Sequence, residues 1–111
     1  MGNTSSLDVQ SILQTVPKPP IVASLTGPRR LEVSISKRAR NGEELREVEY
    51  QVYKYEGSTN NAKVWKDWSP RDWSTFVDTE VLPNRTYGYA VRYRGKFQDI
   101  SNLSSWTTTT T

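Results

Sequence analysis

The sequence of 111 residues contains no cysteine and no histidine. Without cysteine, the chain can form neither a disulfide framework nor a thiolate metal site. Without histidine, it lacks the commonest general base and the commonest ligand for transition metals. Carboxylate pairs such as Asp67 with Asp72 remain, but solubility explains them better than glycosidase chemistry, because they lie in short predicted loops. We therefore expect a protein that is not an enzyme, with no catalytic residue, no cofactor and no bound metal.

A strong charge of one sign is also missing, because the net charge is only +3. Lys37, Arg38 and Arg40 form a short basic run, but Glu43, Glu44 and further glutamates follow at once. Proteins that bind nucleic acid usually carry a patch of one sign, whereas mixed charges are typical of a solvated surface. The sequence therefore argues against a nucleic-acid partner.

Long hydrophobic runs are absent as well. No apolar stretch approaches the roughly 20 residues that span a bilayer, and the N-terminus lacks the basic and apolar regions of a signal peptide. The first six residues fit the N-myristoylation pattern with Gly2 as acceptor. One acyl chain binds weakly without a basic patch beside it, however, and the first basic residue is Lys18. A membrane partner is therefore not expected.

The chain does contain many large rings. Hydrophobic residues make up only 34% of it, yet it has four tryptophans, six tyrosines and two phenylalanines. Each ring buries a large area, and a chain of this length forms a single domain that buries roughly two-thirds of its unfolded surface. We therefore expect one domain whose core is built largely from aromatic side chains.

Residues 1–20 are predicted to be an N-terminal arm in front of a domain of residues 21–111. The arm has apolar residues at near-helical spacing, namely Leu7, Ile12, Leu13 and Val16. The proline-rich segment 17–20 then ends any helix and favours extended backbone. One interpretation is a frayed or loosely docked arm, because so short a helix is marginal alone. The other is a peg whose apolar residues insert into a groove of a neighbouring subunit.

From residue 21 onward, apolar and polar residues alternate in short segments that turn residues separate. The predicted strands are IVASL, LEVSIS, VEYQVYKY, KVW, TFVDTEV, TYGYAVRYR and LSSWTTTTT. Turn signals such as Asn41-Gly42 and Leu82-Pro83-Asn84 lie between them. Seven short strands with no convincing helix among them predict an all-β fold, a seven-stranded antiparallel sandwich.

Residues 18–111 resemble a fibronectin type III domain. The segment LEVSI lies where that family has an L-x-V-x-W pattern, and VEYQVYKY resembles the third strand with its core pair Tyr50 and Val52. The segment VLPNRTYGYAV is similar to the signature L-x-P-x-x-x-Y-x-V-x-V, with Val81 at the leucine position and Tyr87 at the corner tyrosine. The resemblance implies a sheet of three strands packed on a sheet of four.

The resemblance also carries expectations about single residues. It implies that the hydroxyl of Tyr87 reaches back to the turn backbone near Pro83. Ile35 stands where the family has a core tryptophan, so we expect another tryptophan to fill that space. The loop that carries Arg-Gly-Asp in some members reads Arg94-Gly95-Lys96, so integrin recognition is not carried over. Such modules are binders or spacers, although the fold alone does not fix the function.

Alternation along the sixth predicted strand turns its tyrosines inward and its arginines outward. Arg92 and Arg94 are then expected on an outer face beside Tyr53 and Tyr55 of the third strand, with Glu49 close to Arg92. Tyrosine and arginine are enriched at interface hot spots. The alternative is that the long arginine stems simply cover neighbouring rings. With the apolar arm residues, these two tyrosines and two arginines are the predicted protein-interface residues.

Three tryptophans, Trp65, Trp68 and Trp73, fall within nine residues. An exposed ring could stack on a sugar or anchor a protein partner, whereas a buried ring would replace the missing core tryptophan. We expect at least one of the three in the core and at least one at a surface. A carbohydrate-binding module that uses these rings on a surface glycan is therefore an alternative function.

Together these patterns predict a non-enzymatic structural or adhesion module that is one subunit of a larger assembly, with other protein subunits as partners. A chain with an arm but without cysteine or a visible signal peptide fits a virion component assembled in the cytoplasm, such as a phage decoration, neck or tail protein. The other alternative is a protein-interaction module of a receptor or of a cytoplasmic protein, in an extracellular or cytoplasmic location.

Overall fold

The computed structural model describes residues 15–25, 30–69 and 74–111. Its strands are β1 (Ile21–Ser24), β2 (Leu31–Ser34), β3 (Glu49–Glu56), β4 (Lys63–Ser69), β5 (Thr75–Asp78), β6 (Thr86–Arg94) and β7 (Thr107–Thr110). Within these described ranges, helical structure is limited to one 3-10 turn at Thr59–Asn61. The predicted all-β fold with seven strands is confirmed.

The strands form two antiparallel sheets. One sheet has the order β1-β2-β5 and the other has the order β4-β3-β6-β7. Because successive side chains of a strand point to opposite faces, each sheet can turn one row of large residues toward the other. The predicted sandwich of three strands on four is therefore confirmed as well.

The core between the sheets consists mainly of tyrosines and β-branched residues. On β6 the inward-facing side chains are fully or almost fully buried, namely Tyr87, Tyr89, Val91 and Tyr93. Tyr50 of β3 meets Phe76 and Tyr93 edge to face, with ring centroids 6.3 Å apart in both pairs. Aromatic pairs favour this geometry because the positive ring edge meets the negative ring face.

Trp65 of β4 supplies the tryptophan that the second strand lacks. Ile35 is buried, and the half-buried ring of Trp65 packs against the core cluster. Its centroid lies 5.8 Å from that of Phe76 and 5.4 Å from that of Tyr89, both edge to face. The aromatic volume expected on β2 thus comes from the opposite sheet.

The proline-rich segment joins the domain by backbone hydrogen bonds. Arg40 N–H donates to the carbonyl of Val16 at 2.8 Å, and Lys18 N–H donates to the carbonyl of Arg38 at 2.9 Å. Pro17, which has no N–H to donate, is fully buried opposite Ala39.

The predicted arm is therefore only partly described. Val16, predicted as part of the arm, is held against the domain by its hydrogen bond with Arg40. Leu7, Ile12 and Leu13 lie outside the described residues.

The chain between β6 and β7 is attached through serine hydroxyls. Tyr93 N–H donates to Ser101 Oγ at 2.8 Å, and Val91 N–H donates to Ser104 Oγ at 2.9 Å. In return, the N–H groups of the two serines donate to the carbonyls of Tyr93 and Val91. The predicted last strand starts at residue 103, whereas β7 starts at Thr107, because side-chain oxygens replace part of the regular ladder. Both buried N–H groups are nevertheless satisfied, as buried backbone requires.

Candidate protein-interaction surface

A β-bulge in β4 directs Trp68 onto the outer face of the four-stranded sheet. Tyr50 pairs with Ser69 and Val52 pairs with Lys66, so Asp67 and Trp68 lie opposite a single residue of β3. Such a bulge breaks strict alternation and re-aims a side chain. The sequence predicts a break at this point, whereas β4 continues through it to Ser69.

A second irregularity of β4 turns Trp65 the other way. Tyr53 pairs with Val64 and Val52 pairs with Lys66, so Trp65 is an extra residue between two pairs. Its ring packs on the core, and the ammonium groups of Lys66 and Lys54 lie 4.9 and 6.0 Å from its centroid. Of the three clustered tryptophans, Trp65 therefore packs on the core and Trp68 lies at the outer surface, while Trp73 lies outside the described residues.

Trp68 meets two arginines and a tyrosine on the outer face. The guanidinium carbon of Arg94 lies 4.4 Å from the Trp68 ring centroid, and that of Arg92 lies 5.4 Å from it. Arg92 also lies 5.3 Å from the ring centroid of Tyr53. All three distances are within the range of cation–π attraction. We call these four half-buried residues, Tyr53, Trp68, Arg92 and Arg94, the arginine–aromatic face.

Hydrogen bonds from β3 hold the two arginines in place. Arg94 Nη2 donates to Glu49 Oε1 at 2.6 Å in an ion pair. Arg92 Nε donates to Gln51 Oε1 at 2.9 Å, and Gln51 Nε2 donates to Asp67 Oδ1 at 2.8 Å. Through these two hydrogen bonds the buried amide of Gln51 connects Arg92 to Asp67 in the bulge of β4. The face is thus fixed by side chains on three adjacent strands.

Asp67 closes the bulge and remains ionised. The Trp68 N–H donates to Asp67 Oδ1 at 2.8 Å. This hydrogen bond, the one from Gln51 and the charge of Arg94 together lower the pKa of Asp67, against a smaller opposing effect of desolvation. Hydrogen bonds to the charged form favour ionisation. The carboxylate therefore fixes the backbone that carries Trp68.

Two predictions about this face are wrong. The first concerns Glu49, which pairs with Arg94 rather than Arg92, because the strand register sets Glu49 opposite Arg94 and Gln51 opposite Arg92.

The second concerns Tyr55, which was expected at the outer surface. It lies on the same side of the sheet but is only 7% exposed. Its ring centroid is 5.0 Å from that of Trp106, and its hydroxyl pairs with Thr108 Oγ1 at 2.8 Å.

Gly88 explains why the ring of Tyr55 can lie close to the sheet. Gly88 is directly opposite Tyr55 on β6, and a Cβ atom added there would overlap the Tyr55 ring. The missing side chain leaves room for the ring, and Trp106 then covers it from the solvent side. Tyr55 is thus a buried structural residue and does not extend the arginine–aromatic face.

Exposed apolar residues flank the face on two sides, and sequence reasoning missed them. Val64, paired with Tyr53, is 44% exposed, and Ile100, bridged to Arg94, is 37% exposed. Paired residues share a face of the sheet, so both side chains lie beside the arginine–aromatic face. Ile100 lies within a segment that the sequence predicts to be a loop, GKFQDISN, where no periodic pattern marks it.

A buried ion pair lies on the inner side of the same sheet. Asp78 Oδ2 is 2.6 Å from Lys54 Nζ and accepts a hydrogen bond from the Tyr89 hydroxyl at 2.6 Å. Burial opposes ionisation of Asp78, but the hydrogen bonds from Lys54, Tyr89 and the Glu80 N–H, with the charge of Lys54, outweigh it and lower its pKa. Burial, together with the Asp78 hydrogen bond and charge, raises the pKa of Tyr89. This cluster joins the two sheets.

Tyr87 lies at the corner before β6. The backbone N–H of Leu82 donates to the Tyr87 hydroxyl at 2.8 Å, one residue ahead of the exposed Pro83. The side chain of Tyr87 is buried while its hydroxyl satisfies a turn donor. This is the arrangement of a tyrosine corner.

The part of the chain that the structure describes holds no group of three or more acidic side chains that could bind a metal ion. Nor does any helix in those ranges have the length and apolar character needed to cross a membrane.

Comparison with known proteins identifies the fold. No protein-family model matches the sequence, and a search of curated proteins finds no match either. Among solved structures, the fibronectin type III domain derived from human KIAA0970 protein superposes with a TM-score of 0.66 at 15% identity, over 99% of this chain and 82% of that one. The third fibronectin III domain of human KIAA0343 protein gives a TM-score of 0.60 at 12% identity, over 90% of this chain and 85% of that one.

A cytokine receptor complex is similar as well, with a TM-score of 0.55 at 20% identity. The match covers 85% of this chain and 51% of the chain in that complex. The chain therefore has the fibronectin type III fold, as its sequence motifs predict.

Proposed function

We propose that this domain is a non-enzymatic protein-interaction module and that the arginine–aromatic face is its binding surface. The carrying observation is that Trp68, Arg92, Arg94 and Tyr53 are grouped on one half-exposed patch. Tryptophan, tyrosine and arginine are the residue types that dominate binding energy at protein interfaces.

The rigidity of the patch supports this role. All four residues lie on strands, and hydrogen bonds from Glu49, Gln51 and Asp67 fix the arginines and the bulge. Side chains that are already ordered lose less conformational entropy on binding. The fold also favours a binding role, since one similar structure is a cytokine receptor complex.

The carbohydrate alternative has less support. A sugar stacks on an open ring face, whereas Trp65 is packed against Phe76 and Tyr89, and two guanidinium groups lie beside Trp68. A groove of about 500 Å³ lies beside Trp65, but Lys54, which lines it, is already paired with Asp78. The contacts therefore favour a protein partner over a glycan.

The sequence-based hypothesis of a larger assembly remains part of the proposal in a general form. Neither the fold nor the comparisons support a virion role specifically, and extracellular and cytoplasmic locations are both compatible with the fold. The proposed role is therefore contact with other proteins, in an assembly or a receptor. Insertion of the arm residues Leu7, Ile12 and Leu13 into a neighbouring subunit is a further hypothesis of the same kind.

Photo-crosslinking from within the face tests the proposal. A benzoylphenylalanine at position 53, in the cells that make the protein, should crosslink a defined partner, and Trp68→Ala should abolish that crosslink. The control carries the same group at Val77, which is exposed on the other sheet. Equal crosslinking from both positions, or crosslinking that persists in Trp68→Ala, would contradict the proposed surface.

A further inference from the structure

The two arginines of the face differ in how their charge is balanced. Arg94 pairs with Glu49 at 2.6 Å, and its charge also acts on the carboxylate of Asp67. Arg92 donates instead to the neutral amide of Gln51. Within the described ranges, no carboxylate forms an ion pair with Arg92. Among the described residues, one guanidinium group of the face is thus paired with a carboxylate and the other is not.

Arg92 is held in position in spite of this imbalance. Its Nε is bonded to Gln51, and its guanidinium lies 5.3 and 5.4 Å from the rings of Tyr53 and Trp68. A guanidinium group offers five donors in a fixed fork, and the hydrogen bond to Gln51 uses the Nε donor. The two terminal nitrogens form the edge of the fork that matches the two oxygens of a carboxylate.

We infer that Arg92 receives an aspartate or glutamate side chain of the partner protein. This inference rests on the proposed function, because it assigns the partner chemistry of the same face. Aromatic rings beside the guanidinium group exclude part of the water, and a charge-assisted pair is stronger where water is excluded. Recognition of the acid then gives specificity, because a partner with a basic residue at that point is repelled.

The flanking residues define the neighbours of that acid. Val64 and Ile100 are exposed on either side of the face, next to Tyr53 and Arg94 by strand pairing. Burial of such side chains stabilises a complex in proportion to the apolar area removed from water. The partner segment therefore has an acidic residue between apolar residues.

Selection from a random peptide library displayed on phage tests this inference. Peptides that bind the wild-type domain should be enriched in an acidic residue flanked by apolar ones. Replacement of that acid by its amide should weaken binding about tenfold or more to the wild type, but less than about twofold to Arg92→Gln. The matched control is Arg85→Gln, which removes the same charge from an exposed pair with Glu56. It should bind the acidic peptide like the wild type.

The Trp68→Ala variant distinguishes a failure of the inference about Arg92 from a failure of the proposed function. Peptides that bind wild type but not Trp68→Ala use the proposed face. If those peptides lack an acid, or if the acid-to-amide change has equal effects on wild type and Arg92→Gln, the inference about Arg92 is overturned while the proposed function stands. If no selected peptide depends on Trp68, the proposed function is contradicted and the inference with it. Circular dichroism of each variant checks that the fold is retained.

Discussion

The inner cluster around Asp78 and the outer arginine–aromatic face are built from the same chemical groups. In each, aromatic rings lie beside an ion pair of 2.6 Å: Lys54 with Asp78 on the inner side, and Arg94 of the face with the adjoining Glu49 on the outer side. They differ in burial. The side chain of Asp78 is 1% exposed, whereas that of Glu49 is 45% exposed.

Burial decides how much each ion pair matters for the stability of the fold. Removal of one partner from a buried pair leaves an uncompensated charge in a medium that cannot solvate it, so the fold depends on the Asp78 cluster staying intact. An exposed pair contributes little to stability because water screens it, so the pair of Arg94 with Glu49 contributes little to the fold. Charged groups of one chemistry thus serve structure on one side of the sheet and, as proposed, binding on the other.

The largest expected difference comes from removal of one carboxylate on each side. Asp78→Ala should lower the free energy of unfolding by about 3 kcal/mol, because Lys54 stays partly buried without its partner. Glu49→Gln should lower it by less than about 1 kcal/mol. Urea unfolding of both variants measures the difference. Equal losses would mean that burial does not distinguish the two pairs.

The two tryptophans of β4 provide the next comparison. Trp65→Ala should cost about 2 to 3 kcal/mol, because it opens a cavity beside Phe76 and Tyr89, while Trp68→Ala should cost less than about 1 kcal/mol, as surface substitutions do. Thermal unfolding of the two variants gives both values. A larger loss for Trp68→Ala than for Trp65→Ala would assign the structural role to the outer ring.

Gly88→Ala tests whether Tyr55 belongs with the buried region or with the outer face. The new methyl group overlaps the Tyr55 ring, and overpacking of this kind costs about 1 to 2 kcal/mol. Tyrosine fluorescence and urea unfolding report the displacement of the ring and the loss of stability. Tyr55→Phe is the control, since it removes only the hydroxyl contact to Thr108. An unchanged stability of Gly88→Ala would show that the ring is free to move.

The smallest expected effect is on the dependence of stability on pH. Because the folded-state pKa of Asp78 is lowered, its contribution is present above the ordinary carboxyl pKa of 3.8 and is lost as the pH falls through the folded-state value. The wild type should therefore lose stability below about pH 4. Asp78→Asn should flatten that loss more than Asp67→Asn, whose carboxyl is exposed. The opposite order, in urea titrations between pH 7 and pH 2, contradicts the assignment.

Alternation along single strands was sufficient to predict much of this molecule. The tyrosines of β6 point inward and its arginines outward because a strand has a period of two, and this rule needs no knowledge of distant contacts. The tyrosine corner at Tyr87 was predicted from the sequence spacing between Pro83 and Tyr87 in the fibronectin type III motif. The two sheets followed from the number and spacing of the strands.

Features that depend on distant segments were not predictable. The bulges of β4 follow from its pairing with β3, so the outward position of Trp68 is not encoded in the local pattern. Tyr55 is buried because Gly88 leaves space beneath its ring and Trp106 covers the ring from above. Both residues come from other segments of the chain. The pairing of Glu49 with Arg94 depends on the register between β3 and β6, and a shift of two residues preserves every inward and outward assignment.

The bulges of β4 also restrict how another chain can approach. β4 is an edge of its sheet, and a regular edge strand offers a row of backbone donors and acceptors to any extended segment. Two irregularities and the lysines at 63 and 66 interrupt that row, which disfavours extension of the sheet there by strand addition. Contact at this side of the domain is left to side chains, whose identity, unlike that of the backbone, can select one partner among many.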